Sequence, residues 1–240
     1  MKGKKLVIFD IDGTLIRALR PIDNLQRFRY SIQKIFIKDI GPITEERWHK
    51  GNYNGMGDRA ILWVLVEPFG ISRDMFLDQI GLFGDAFIEY LDSIAAAGPS
   101  YAVIPEAKTL IDRVIKAEHL SEGVLTGNLG QSARWKLHSV GLPDFAFGVY
   151  GHEADKREDL SKLLIPKATA YFGKAVRPRD IVVIGDTVND IRCARVIGAL
   201  VVIVNTGWRI DKETLIKAKP DLFVDTLLDE RVLTLLGLEG

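Results

Sequence analysis

The strongest constraint on this chain is a set of short apolar runs that stop abruptly at polar residues: Leu6–Phe9, Gly123–Leu125, Phe145–Val149, Ile181–Ile184 and Leu200–Val204. A half-buried strand alternates apolar with polar residues. Continuous apolar runs of this length suit strands covered on both faces, as in a parallel sheet. Helical patterns lie between most of them, at Pro105–Glu118, Gln131–Val140, Asp159–Phe172 and Asn189–Ile197. Strand–helix alternation from residue 100 onward predicts an α/β fold with a doubly wound, Rossmann-like parallel sheet core. In such a sheet ligands gather at the carboxyl ends of the strands, so function is sought just after each run.

The stretch from Ile16 to Ser100 reads differently. It carries helical patterns around Ile22–Ile37, Asp58–Phe69 and Arg73–Ala97, with no convincing buried strand. The segment between Leu15 and Thr126 is several times longer than that between Asn128 and Lys156, which one strand–helix crossover fills. The expected organisation is a core of residues 1–16 and 101–240 with an inserted α-helical cap domain over 17–100. Connections near Ile16–Leu19 and Gly98–Ser100 would be its hinges.

Charge narrows the partners. Lys plus Arg and Asp plus Glu both total 32, a net charge of zero that exerts no overall pull on nucleic acid or an anionic membrane. No run approaches the roughly 18 apolar residues of a membrane span. The apolar run after Lys4-Lys5 is too short for an export signal and ends in acids. A single cysteine, Cys193, excludes an intrachain disulfide framework and fits a reducing compartment. The expectation is a cytoplasmic protein with neither a nucleic-acid nor a membrane partner.

The strand ends are chemically distinctive. Asp10-Ile11-Asp12-Gly13-Thr14 follows the first run, and Thr126-Gly127-Asn128 follows the second. His152, Lys156 and Arg157 follow the third, and Gly185-Asp186-Thr187-Val188-Asn189-Asp190 follows the fourth. Each alone is what an ordinary turn or helix cap looks like. Together, at one edge of a sheet, four carboxylates would repel one another unless a cation lay among them. A carboxylate-rich oxygen site suits Mg²⁺. The cation, Thr126, Asn128, backbone amides and a basic side chain would then complement a phosphoryl group. One acid of the first pair can attack phosphorus while the other protonates the leaving oxygen.

These signatures, Asp10-Ile-Asp-Gly-Thr-Leu15, Leu125-Thr-Gly-Asn128 and Val183-Ile-Gly-Asp-Thr-Val-Asn-Asp190, resemble those of the haloacid dehalogenase-like hydrolase superfamily, in particular its phosphoglycolate phosphatase-like members. The resemblance implies an Mg²⁺-dependent phosphatase acting on a small phosphorylated metabolite. It implies Asp10 as the nucleophile and Asp12 as general acid and base. Thr126, Gly127 and Asn128 would bind phosphate. Asp10, the backbone carbonyl of Asp12, and Asp186 would bind the metal, supported by Asp190. The family's third motif carries a Lys often followed by Pro; here Asp155-Lys156-Arg157-Glu158 lacks the Pro, and an Asp-Arg-x-x-Leu variant of related members would select Arg157 instead. Either cation could serve. Asp12 favours a phosphate ester, because dehalogenases of the superfamily lack this second acid. Phosphomutase and phosphonatase chemistry stay open, as does a non-catalytic phospho-ligand binder. A receiver-like signalling domain fits less well, being usually half this length.

Within the insert, Gly51–Asp58 is rich in residues that permit unusual backbone angles, so Asn52, Asn54, Gly55 and Met56 are candidate substrate contacts. Arg17, Trp48 and Arg59 are weaker candidates. The stripe Ile61-Leu62-Val64-Leu65-Val66 reads as insert core.

Overall fold

The computed structural model describes residues 4–51, 53, 55–206 and 210–238. The chain enters through β1 (Lys5–Phe9), turns into a short strand β2 (Ile16–Ala18), and runs through α1 (Pro21–Phe36), α2 (Glu45–Lys50), α3 (Asp58–Val66), α4 (Arg73–Asp78) and α5 (Ile80–Ala95). It returns through β3 (Tyr101–Val103) to α6 (Pro105–Lys116), β4 (Leu120–Leu125), α7 (Gly130–Ser139), β5 (Gly148–Val149) and α8 (Arg157–Phe172). Then follow β6 (Ile181–Gly185), α9 (Val188–Ile197), β7 (Leu200–Val204), α10 (Lys212–Lys217), β8 (Leu222–Val224) and α11 (Glu230–Leu236).

Six described strands form one parallel sheet in the order β5-β4-β1-β6-β7-β8. Successive side chains of a strand face opposite sides. Val7 and Phe9 therefore join the apolar layer under α6, α7 and α11, while Leu6 and Ile8 join that under α8, α9 and α10. Both faces are covered, which is why the strands read as unbroken apolar runs. The strand order switches direction on either side of β1, so the crevice for a ligand opens beside its carboxyl end.

The helices between β2 and β3 have their own apolar centre, built on Phe28, Ile32, Phe76, Phe83 and Phe87. Of the predicted stripe, Ile61, Leu62, Leu65 and Val66 are buried there, but Val64 is exposed. The two connections to the insert differ from the sequence reading. Ile16–Ala18 and Tyr101–Val103 pair antiparallel, and Leu19 N donates to Ser100 O at 2.9 Å, so both chain crossings are tied into one ribbon. The pattern Arg73–Ala97 is not one helix either. It breaks at Gln79 between α4 and α5, just before Gly81, a weak helix former. The run Phe145–Val149 contributes only Gly148–Val149 to the sheet. Among the described residues no helix is long and apolar enough to cross a membrane.

Candidate active site

The first strand's hydrogen bonding continues one residue past β1, where Asp10 N donates to Ile184 O at 2.9 Å. The chain then folds back tightly: Leu15 N donates to Ile11 O at 3.0 Å and Gly13 N to Ile16 O at 2.7 Å. Ile11 and Leu15 are buried beneath this turn and fix its height. Gly13 has φ +100°, and a Cβ there would lie 2.1 Å from Asp186 Oδ2. Only glycine lets the first acidic turn close against Asp186, the acid that follows β6.

Asp186 follows β6 and accepts from Thr14 Oγ1 at 3.4 Å. Asp190 is held by its own helix: Thr187 caps α9, and Asp190 Oδ2 accepts from Thr187 N at 3.0 Å and from Thr187 Oγ1 at 2.6 Å. These elements bring buried carboxylate oxygens of Asp10, Asp186 and Asp190 within 4.8 Å of one another. The side chain of Asp12 does not join the triad.

Of the two third-motif cations, Arg157 stands among the acids and Lys156 is exposed. Arg157 Nη2 lies 2.8 Å from Asp190 Oδ1 and 3.3 Å from Asp10 Oδ1. Burial works against its charge, but the Asp10 and Asp190 carboxylates outweigh burial and hold the guanidinium's pKa above its ordinary value. Its Nε is buried with no hydrogen-bond partner among the described residues. Lys156 occupies the N-cap of α8, so the helix begins at Arg157 rather than at Asp159 as the sequence pattern suggested.

The Thr126-Gly127-Asn128 turn stands at the end of β4. Asn128 Nδ2 donates to Thr126 Oγ1 and to Asp12 Oδ2, both at 2.7 Å. A Cβ on Gly127 would lie 3.0 Å from Gly57 Cα and 3.1 Å from Arg157 Nη1, so the turn is packed against both the insert and the third-motif cation.

One residue of this site was not singled out in the sequence. Lys136, on α7, is almost fully buried, and its Nζ donates to both oxygens of Asp12 and to Asn128 Oδ1 at 2.6 Å. The available signal was its register. Leu129, Ser132, Ala133, Lys136 and Leu137 line one buried helix face, and a lysine in that register needs an acid.

Among the insert candidates, Gly55 O accepts from Asn189 Nδ2 at 3.3 Å, whereas Met56 packs into the insert's apolar centre. Asn52 and Asn54 lie outside the described residues. Arg59 reaches the core, with Nε 2.8 Å from Asp155 Oδ1. Trp48 packs within the insert, against Phe28 and Tyr53, and Arg17 is exposed on β2. His152 Nδ1 accepts from Gly130 N at 3.4 Å, a contact with the start of α7 rather than with the acids.

A six-stranded parallel sheet with three acids, a guanidinium and a Thr-Gly-Asn turn at its carboxyl edge defines a doubly wound α/β protein with a charged crevice at the switch point of its strands. The haloacid dehalogenase-like hydrolase family profile matches residues 4–198, and the chain belongs to that family. It is 24% identical over 242 residues to a phosphoglycolate phosphatase of Photorhabdus laumondii, covering 99% of this chain and 94% of that protein. Its fold is similar to that of CbbY from Rhodobacter sphaeroides, solved with phosphate, at a TM-score of 0.69 and 17% identity over 98% of this chain and 99% of that one. It is also similar to a predicted phosphoglycolate phosphatase from Haemophilus somnus, at a TM-score of 0.64 and 21% identity over 98% and 99%.

Proposed function

We propose that the protein is a Mg²⁺-dependent phosphatase that hydrolyses a small phosphate monoester through an aspartyl-phosphate on Asp10. The observation that carries this reading is the buried triad of Asp10, Asp186 and Asp190 with Arg157 laid against two of its members. Three carboxylates outnumber one guanidinium, and every donor of the triad is oxygen, a composition that fits a hard divalent cation. Asp10, the backbone carbonyl of Asp12, and Asp186 would hold it. Asp190, whose two oxygens are engaged by Arg157 and Thr187, would support it from behind. When bound, Mg²⁺ supplies positive charge to the phosphoryl oxygens.

In this reading an Asp10 oxygen forms the new bond to phosphorus while the bond to the leaving oxygen breaks, and Asp12 gives that oxygen its proton. Thr126, Asn128 and Arg157 grip the phosphoryl group. Asp12 then takes a proton from water as the water displaces Asp10, releasing phosphate. Residues 17–100 act as a cap on a core made of 1–16 and 101–240, and the enzyme works in the cytoplasm. Phosphoglycolate heads the substrate candidates because the curated relative is a phosphoglycolate phosphatase.

The test is turnover of a chromogenic phosphate ester with Mg²⁺ and with EDTA, followed by a panel of phosphorylated metabolites. Metal-dependent release of phosphate is expected. No release across the panel would contradict the reading, and an isomerised phosphate product in place of free phosphate would make the enzyme a mutase.

A further inference from the structure

The first turn of α3 belongs to the insert, yet it touches the core loops that carry the proposed chemistry. Asp58 N donates to Gly127 O at 2.7 Å. Asp58 Oδ2 accepts from Leu129 N at 3.0 Å and Ser132 Oγ at 3.5 Å, directly after the Thr126–Asn128 turn. Its other oxygen is fixed by Arg27 Nη2 at 3.0 Å, and that guanidinium lies over the rings of Phe28 and Phe87. Leu129, a core residue, is buried in the insert's apolar centre. The neighbouring Arg59 reaches the other side of the site. Its Nη1 donates to His152 O and its Nε to Asp155 Oδ1, both at 2.8 Å, two positions before Arg157. Burial raises the cost of charge on Asp155, but hydrogen bonds from Arg59 and Arg73 outweigh it and hold the carboxyl below its ordinary pKa.

We propose that Asp58 and Arg59 are positioning residues: docked on the core, they set the separation between the Thr126–Asn128 turn and the loop that delivers Arg157. This rests on the phosphatase reading. The physical case is one of freedom removed. The turn contains Gly127 and the other loop contains Gly151, so neither backbone is stiff of itself. Adjacent residues of one helical turn hold both, and one of them is a carboxylate buried to 4% exposure, a costly choice for packing alone. The insert thus completes the grip on the phosphoryl group as well as covering it.

The experiment is calorimetric binding of inorganic phosphate in the presence of Mg²⁺, alongside kcat on a chromogenic ester, for the full chain and its variants. Asp58→Asn and Arg59→Met are each expected to weaken phosphate binding by roughly 10-fold or more and to lower kcat by up to about 10²-fold, the scale of a 1 Å misplacement. Arg59→Lys should recover part of both. Arg29→Met, which removes an exposed ion pair within the insert, should change neither. If Asp58→Asn fails to fold by thermal melt, Arg59→Met decides alone. Folded variants that match wild type within about twofold in both readouts overturn the proposal. A change in KM alone, with phosphate affinity intact, also overturns it, since the turn would then only select leaving groups. Wild-type protein that binds no phosphate and releases none overturns the phosphatase reading itself, an outcome visible before any variant is compared.

Discussion

Lys136 and Asp12 form a nearly closed ion pair: Nζ lies 2.8 Å from Oδ2 and 3.0 Å from Oδ1, with 3% of the lysine side chain and 18% of the aspartate exposed. The same ammonium donates to Asn128 Oδ1, so one buried cation orients the proposed acid–base group and the amide proposed to bind phosphate together. Lys136→Met should therefore lower kcat by about 10²–10⁴-fold, the scale of losing a positioned acid–base group. Lys136→Arg should restore part of the loss. Steady-state kinetics on a chromogenic ester checks this, and an unchanged kcat in the methionine variant would remove Lys136 from the account.

Asp12→Asn separates the two acids of the first motif. Asparagine cannot protonate the leaving oxygen, so turnover should fall by about 10²–10⁴-fold while Asp10 still accepts the phosphoryl group. Activated esters, whose leaving groups need little protonation, should suffer less. Equal losses on good and poor leaving groups would count against Asp12 as the proton donor.

Gly13→Ala meets two penalties at once: a backbone at φ +100° and a Cβ placed 2.1 Å from Asp186 Oδ2. We expect the variant to lose activity together with thermal stability, because the first turn must shift away from Asp186. An alanine variant with wild-type melting and turnover would show that the two acidic turns do not need this approach.

His152 supplies a pH dependence. Burial, aided by the charges of Lys167, Arg59 and Arg134 and opposed by Glu153, holds its pKa below the ordinary imidazole value. The unfolded chain then binds the proton more readily than the folded one. The stability His152 contributes is present above about pH 6.5 and is lost as pH falls through the folded pKa. Protonation also removes the ring nitrogen that accepts from Gly130 N. Melting curves between about pH 7.5 and pH 5 should show wild type losing more stability than His152→Gln. Parallel curves would mean that the imidazole stays in contact with solvent in the folded protein.

Much of the site was legible because strand ends are local features. Asp10, Thr126 and Asp186 each stop an apolar run, and a parallel sheet brings such stops to one edge regardless of how far apart they lie in the chain. The choice between Lys156 and Arg157 was not legible, since adjacent residues at a helix start diverge by an amount that only the cap geometry fixes. Here Lys156 takes the N-cap and turns outward. Lys136 escaped notice because α7 carries few apolar residues against which a buried lysine would stand out. The β2–β3 ribbon is hidden for another reason: among the described strands Ile16–Ala18 and Tyr101–Val103 pair only with each other, and three-residue strands carry no periodic signal. The pairing of Arg27 with Asp58 spans the rest of α1, all of α2 and the connections on either side of α2, and nothing local announces it.

The central claim is that Asp10 carries the phosphoryl group during turnover. Its most direct test is peptide mass spectrometry of the enzyme quenched in acid during steady-state hydrolysis with Mg²⁺. The account predicts a phosphoryl adduct on the peptide containing Asp10, absent with EDTA and absent in Asp10→Asn. Vigorous turnover with no adduct at any quench time, or an adduct that persists in Asp10→Asn, would contradict it.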